Sequence, residues 1–123
     1  MTELAIHAAD RDIADELSEQ VRSAYHDRTP LRIVGGNTRA FYGRPVEGTE
    51  LSVAAHSGIV SYDPIELVVT VRAGTRLSAL NAALAEKHQM LPFEPPIFGD
   101  ASTIGGAVAT GMSGPRRPWA GAA

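Results

Sequence analysis

Leu31-Arg32-Ile33-Val34-Gly35-Gly36-Asn37-Thr38-Arg39 carries a β-type run of four residues straight into two consecutive glycines and a pair of small polar side chains. Glycine lets backbone N–H groups approach an anionic ligand without an obstructing Cβ, so a strand that empties into Gly35-Gly36 builds a phosphate cradle. A second stretch of the same character, Ala101-Ser102-Thr103-Ile104-Gly105-Gly106, lies far along the chain. Neither ends in Gly-Lys-Ser/Thr and neither reads G-x-G-x-x-G, so the two commonest nucleotide fingerprints are absent. Asn37, Thr38, Ser102 and Thr103 add neutral donors that suit phosphate oxygens, and Arg39 adds a charge.

Between the two bends, local signals alternate. Upstream, Asp10 or Asp12 opens a helix whose residues Ile13, Leu17, Val21 and Ala24 form one apolar face through about Tyr25, and Thr29-Pro30 stops it. Leu51-Ser52-Val53 is a weak strand, Gly58 to Tyr62 a better one, and Leu67 to Val71 the strongest, with a turn at Asp63-Pro64. Ala73-Gly74-Thr75 offers a turn and an N-cap to a second helix, whose apolar face is Leu77, Leu80, Ala83 and Leu84. Pro92, Pro95 and Pro96 stiffen the approach to the second bend. Gly105 to Gly114 suits a short helix of small residues, and Pro115 to Gly121 reads as irregular.

At 123 residues and 44% hydrophobic content the chain has the size of one domain with a modest core. Fourteen acidic against 11 basic residues give a net charge of −3 without a basic block, which argues against nucleic acid or an anionic membrane as the main partner. The lack of cysteine excludes a disulfide frame, a thiolate metal site and a cysteine nucleophile, and suits the cytosol. The N-terminal segment has acidic residues where a signal peptide has an apolar core, and no apolar run reaches bilayer length. The expectation is a cytoplasmic protein without a transmembrane segment, at most peripheral to a membrane through a complex. No two histidines or carboxylates show metal-ligand spacing, and no serine lies in a nucleophile elbow.

The order of these parts carries a resemblance. The strand into Gly35-Gly36-Asn37-Thr38, the Asp63-Pro64 hairpin, the Val71-Arg72-Ala73-Gly74-Thr75 junction and the Pro96 to Gly106 loop together resemble the FAD-binding domain of the vanillyl-alcohol oxidase (PCMH-type) flavoproteins. More narrowly, Tyr62-Asp63-Pro64, Met90-Leu91-Pro92-Phe93-Glu94-Pro95-Pro96 and Ser113-Gly114-Pro115-Arg116-Arg117-Pro118-Trp119-Ala120-Gly121 look like the FAD-binding subunits of glycolate oxidases. The resemblance implies an α+β fold over residues 1–123. A small sheet flanked by helices would form the N-terminal lobe, facing a mainly antiparallel second lobe that is incomplete here, and FAD would lie extended between the lobes.

Carried over by position, Gly35, Gly36, Asn37 and Thr38 match the first pyrophosphate loop. Ala101, Ser102, Thr103, Ile104, Gly105 and Gly106 match the second, and Ser113 and Gly114 lie close to the flavin. The implied partners are FAD, other glycolate oxidase-type subunits and a small 2-hydroxy acid substrate; no catalytic residue is implied within the chain. The alternative is a non-catalytic lobe that docks on another subunit without flavin. For Gly105, Gly106 and Gly111, close helix packing and cofactor approach both remain open. Arg116, Arg117 and Trp119 are open between flavin contact, partner contact and a solvated tail. Of the histidines, His7, His26 and His88 are expected at the surface. His56 is the one that invites a reading as flavin attachment point or base, although a lone loop histidine is more often neither.

Overall fold

The computed structural model describes residues 10–121 and residue 123, so His7 and Glu3 lie outside the described residues. In chain order the elements are helix α1 (Ala14–Asp27), strands β1 (Leu31–Val34), β2 (Thr49–Ser52), β3 (Ile59–Asp63) and β4 (Val68–Val71), and helices α2 (Leu77–Ala85), α3 (Ile104–Thr110) and α4 (Arg117–Ala120). The α+β class stands, but the strands do not share one small sheet. Among the described residues β1 and β2 form a parallel pair, while β3 and β4 form a separate antiparallel hairpin.

The parallel pairing has a structural consequence. A strand can lie parallel to its neighbour only if the chain first returns to the starting end. Leu31 pairs with Thr49 and Val34 with Ser52, so residues 35–48 make that return as an open excursion without regular structure. The first glycine bend begins this excursion, which is why it stands clear of the strands.

The core lies under α2. Leu77, Leu80 and Leu84, with Ile104 and Ala107 of α3, form the buried cluster, and Ile59, Tyr62, Val69, Val71, Leu91 and Phe93 pack against it. The apolar stripe expected on α2 is the stripe that is buried. In the hairpin a register shift between Ile59 and Ser61 places Ile59 and Tyr62, three residues apart, against the same cluster. At its turn the Asp63 carboxylate accepts the amides of Ile65 and Glu66 at 3.0 and 3.1 Å.

Other expectations need correction. Thr75 does not cap α2, whose N-cap is Arg76; its hydroxyl instead accepts the Gly58 amide at 3.0 Å and donates to the Arg72 carbonyl at 2.6 Å, tying strand ends together. The stripe on α1 is only partly covered: Ile13 is buried, but Val21 is 47% exposed and no residue of the helix itself is buried. The Pro115 to Gly121 stretch includes the single helical turn α4.

At the start of α1 the Asp12 carboxylate accepts the Ala14 amide at 3.0 Å. That bond, with the Arg72 guanidinium and His56 nearby, holds the Asp12 pKa below its ordinary value of 3.8. A depressed carboxylate pKa stabilises the fold above the unfolded-state value, and the contribution is lost as pH falls through the folded-state value. Thermal melts of Asp12→Ala should therefore lie below those of the parent at neutral pH. The gap should close as pH falls below 3.8; a gap independent of pH would remove the carboxylate from this role.

Candidate functional site

The two bends meet. A Cβ placed on Gly36 would lie 1.7 Å from the carbonyl oxygen of Ala101, so only glycine lets the first bend pass this close to the second. The Thr38 and Ser102 hydroxyls are 3.0 Å apart and share a hydrogen bond across the join. Ser102 is 1% exposed, and its oxygen also accepts the Phe98 amide at 2.8 Å. It is a clasp between loops.

Their backbones do different work. Asn37 sits at φ +56°, the left-handed conformation that turns successive amides toward one side. No acceptor among the described residues takes the amides of Gly36, Asn37 or Thr38. In the second bend, by contrast, the amides of Ser102, Ile104 and Gly105 donate to the carbonyls of Gly99, Thr75 and Ala73. Gly106 donates to the Thr103 hydroxyl at 3.1 Å, which caps α3. The expectation that both bends offer free amides thus needs correction: the first does, while four amides of the second are spent on the fold. Gly105 is a packing glycine, since a Cβ there would come within 2.7 Å of the Ala73 carbonyl oxygen. Thr103→Ala should lower stability by about 1 kcal/mol through loss of the cap, and Thr103→Ser should restore most of it in chemical denaturation. Equal losses in both variants would show that the hydroxyl does not matter.

A cleft of about 430 Å³ opens over this join. Gly35, Gly36, Asn37, Thr38 and Arg39 line it from the first bend, and Thr103 and Gly106 from the second. Ala101, Ser102, Ile104 and Gly105 do not line it. Ser113 and Gly114 lie elsewhere: the Gly114 amide donates to the Phe93 carbonyl at 2.8 Å, and the Ser113 hydroxyl is buried without a partner among the described residues. Sequence reasoning missed the rest of the wall, which includes Ile33, Tyr42, Arg44, Pro45, Val46 and Thr110. Nothing in their local pattern distinguishes exposed residues that face a cleft from those that face open solvent.

Arg39 is the unusual member. It is only 8% exposed, its Nη2 donates to the Pro96 carbonyl, and its guanidinium lies 5.2 Å from the centroid of the Phe98 ring. Phe98 in turn meets Phe41 edge to face, with centroids 5.3 Å apart. Burial draws the Arg39 pKa down from the ordinary arginine value, yet a guanidinium stays charged. No carboxylate among the described residues pairs with it, and its Nε has no partner. A buried cation without a counter-charge is costly unless an anion completes it.

The other candidates do not join this cleft. His56 Nδ1 accepts the Ile13 amide at 3.2 Å and lies 3.6 Å from Asp12, so the imidazole seats the start of α1. His26 and His88 are exposed. Asp100, awkward beside phosphate, is exposed too. Arg116 pairs with Glu94 at 3.8 Å, and Trp119 is 86% exposed. Among the described residues no group of histidines and carboxylates is placed to hold a metal ion, and no helix is long and apolar enough to cross a membrane.

A parallel pair opened by a glycine bend, with free amides and an unpaired arginine over one cleft, has the donor set of an anion site, and the chain belongs to the FAD binding domain family, which it matches over residues 12–123. FAD is accordingly its cofactor. Over 110 residues it is 56% identical to the glycolate oxidase subunit GlcE of Escherichia coli (strain K12). That match takes in 89% of this chain and 31% of the relative, so the chain spans about a third of the relative's length. No solved structure matches it.

Proposed function

We propose that the cleft over the two bends holds the diphosphate of FAD, and that the chain is the FAD-binding part of a flavin-dependent oxidoreductase subunit of the glycolate oxidase kind. The observation that carries this is the Arg39 guanidinium, buried beside free amides with no carboxylate to neutralise it. The amides of Gly36, Asn37 and Thr38 complete the anion site, and Gly35 packs against the Thr103 side chain, where a Cβ would come within 2.8 Å of its hydroxyl. Thr103 and Gly106 form the facing wall, Ala101 and Ser102 fix the first bend against the second, and Ile104 and Gly105 tie the second bend to Thr75 and Ala73. Ser113 and Gly114 lie beyond the cleft, toward the flavin ring.

When bound, FAD supplies the redox chemistry; the chain's own residues bind it, orient it and neutralise its phosphates. In the assembled enzyme, working in the cytoplasm with partner subunits, the substrate is a small 2-hydroxy acid, glycolate, oxidised to glyoxylate. The residue that takes the substrate proton is not assigned. A docking role beside cofactor binding is favoured by exposed apolar side chains at the β3–β4 turn, where Ile65 is 90% and Leu67 76% exposed.

Titrating FAD into the chain should change the flavin fluorescence, and inorganic pyrophosphate should reverse the change. FAD binding that pyrophosphate cannot compete would remove the diphosphate from this cleft. In the assembled enzyme, glycolate should bleach the flavin absorbance without air; an unchanged spectrum would overturn the substrate.

A further inference from the structure

Among the described residues two buried side-chain polar atoms have no hydrogen-bond partner, Arg39 Nε and the Ser113 hydroxyl oxygen. Buried polar groups in a native fold are nearly always paired, so each of these calls for a partner. Arg39 belongs to the diphosphate cleft and Ser113 does not. One stretch of chain, Met90 to Phe98, reaches both neighbourhoods. The Pro96 carbonyl accepts from Arg39 Nη2. Two residues earlier the Glu94 carboxylate accepts the Arg116 amide at 3.1 Å, and the Phe93 carbonyl accepts the Gly114 amide at 2.8 Å. Pro95 and Pro96 stiffen the link, and the α-carbons of Glu94 and Pro96 are at most about 7 Å apart.

Glu94 is itself firmly placed. Its backbone stands at φ +47°, a conformation that residues other than glycine rarely adopt. Its amide donates to the Leu91 carbonyl at 3.2 Å, and Leu91 and Phe93 pack on the core cluster. Gly114 lies so close that a Cβ there would come within 2.7 Å of Glu94 Cβ. The Arg116 guanidinium is 3.8 Å from the carboxylate and its side chain is 61% exposed, so the ion pair adds little and the hold is on the Arg116 backbone. Residues 112–114 belong to no helix or strand. A turn anchored in the core therefore clamps them at Gly114 and at Arg116.

We infer that Glu94 is a positioning residue for the flavin end of the cofactor: by holding the Arg116 amide it fixes the Ser113 hydroxyl and the Gly114 backbone where the dinucleotide meets them. The inference rests on the diphosphate reading and goes beyond it, because Glu94 does not line the cleft.

The test compares Glu94→Ala, Glu94→Asp and Glu94→Gln in the purified chain. FAD is followed by fluorescence and by its visible absorption band, and inorganic pyrophosphate by calorimetry. Glu94→Ala should weaken FAD about tenfold, as loss of one charge-assisted hydrogen bond does, shift the visible band of the bound flavin, and leave pyrophosphate affinity unchanged. Glu94→Asp, which withdraws the acceptor by one methylene, should act in the same direction. Glu94→Gln keeps an oxygen for the amide and should restore most of the affinity and the band. Urea midpoints without cofactor identify the variants that fold. Parental affinity and band in Glu94→Ala, or in Glu94→Asp where the alanine variant does not fold, would overturn the positioning role while the diphosphate reading stands. So would FAD and pyrophosphate weakened together, or a Gln variant no better than the other two. If neither FAD nor pyrophosphate binds the folded parent chain, the two readings fall together.

Discussion

Gly36→Ala should separate the two bends and cost both stability and cofactor. The new methyl would meet the Ala101 carbonyl oxygen at 1.7 Å and its carbon at 2.5 Å, neither of which is the free end of a flexible side chain. One bend must move by more than an ångström, which breaks the 3.0 Å contact between Thr38 and Ser102 and shifts the amides of Gly36 to Thr38 together. Overpacking of this kind costs about 3 kcal/mol, and an equal loss in binding corresponds to about a hundredfold in affinity for FAD. Gly106→Ala is the contrasting case. Its methyl meets the Thr103 hydroxyl at 3.3 Å and the Arg39 side chain at 3.6 Å and beyond, and a gain of roughly 1 kcal/mol in helix propensity offsets those contacts. Urea midpoints and FAD titrations on both variants check the pair; a Gly36→Ala protein with parental values would mean that the bends do not touch.

The contrast also shows what could be read in the sequence. Gly35-Gly36 and Gly105-Gly106 are the same dipeptide beside similar polar residues, and both were legible as bends. Their division of labour was not, because it depends on partners far away in the chain: Ala101 against Gly36, and Ala73 against Gly105. The Leu77, Leu80, Ala83 and Leu84 stripe was legible because a helix places residues three and four apart on one face whatever surrounds it. The same rule predicts the stripe on α1 but says nothing about whether a neighbour covers it, and Val21 is left half exposed. Likewise, three or four strands could be counted from composition, yet their separation into a parallel pair and a hairpin is decided by the path of residues 35–48, which carries no periodic signal. Tyr42 and Val46 went unread for that reason. Family resemblance supplied FAD and the site positions; the unpaired state of Arg39 became visible only when the carboxylates around it could be placed.

That unpaired state gives Arg39→Met an unusual signature, in which cofactor affinity and stability without cofactor move in opposite directions. In the free chain Arg39 is 8% exposed and its Nε has no partner among the described residues. Its compensation is one carbonyl and one aromatic face. Replacing a poorly compensated buried charge by an apolar side chain of similar length is often neutral or stabilising, here by up to about 1 kcal/mol, because the desolvation cost disappears while the packing on Phe98 is kept. In the proposed diphosphate complex the same arginine would supply the charge-assisted hydrogen bonds that free amides alone do not match. Truncating one partner of a buried charged pair costs about 3 kcal/mol, so affinity for FAD should fall about a hundredfold. Arg39→Lys should fall between, since it keeps the charge but loses the planar fork that lies over Phe98. Denaturation without FAD and titration with it separate the two effects. A variant that loses stability and affinity in equal measure would make Arg39 a packing residue, and its position in the cleft would then be incidental.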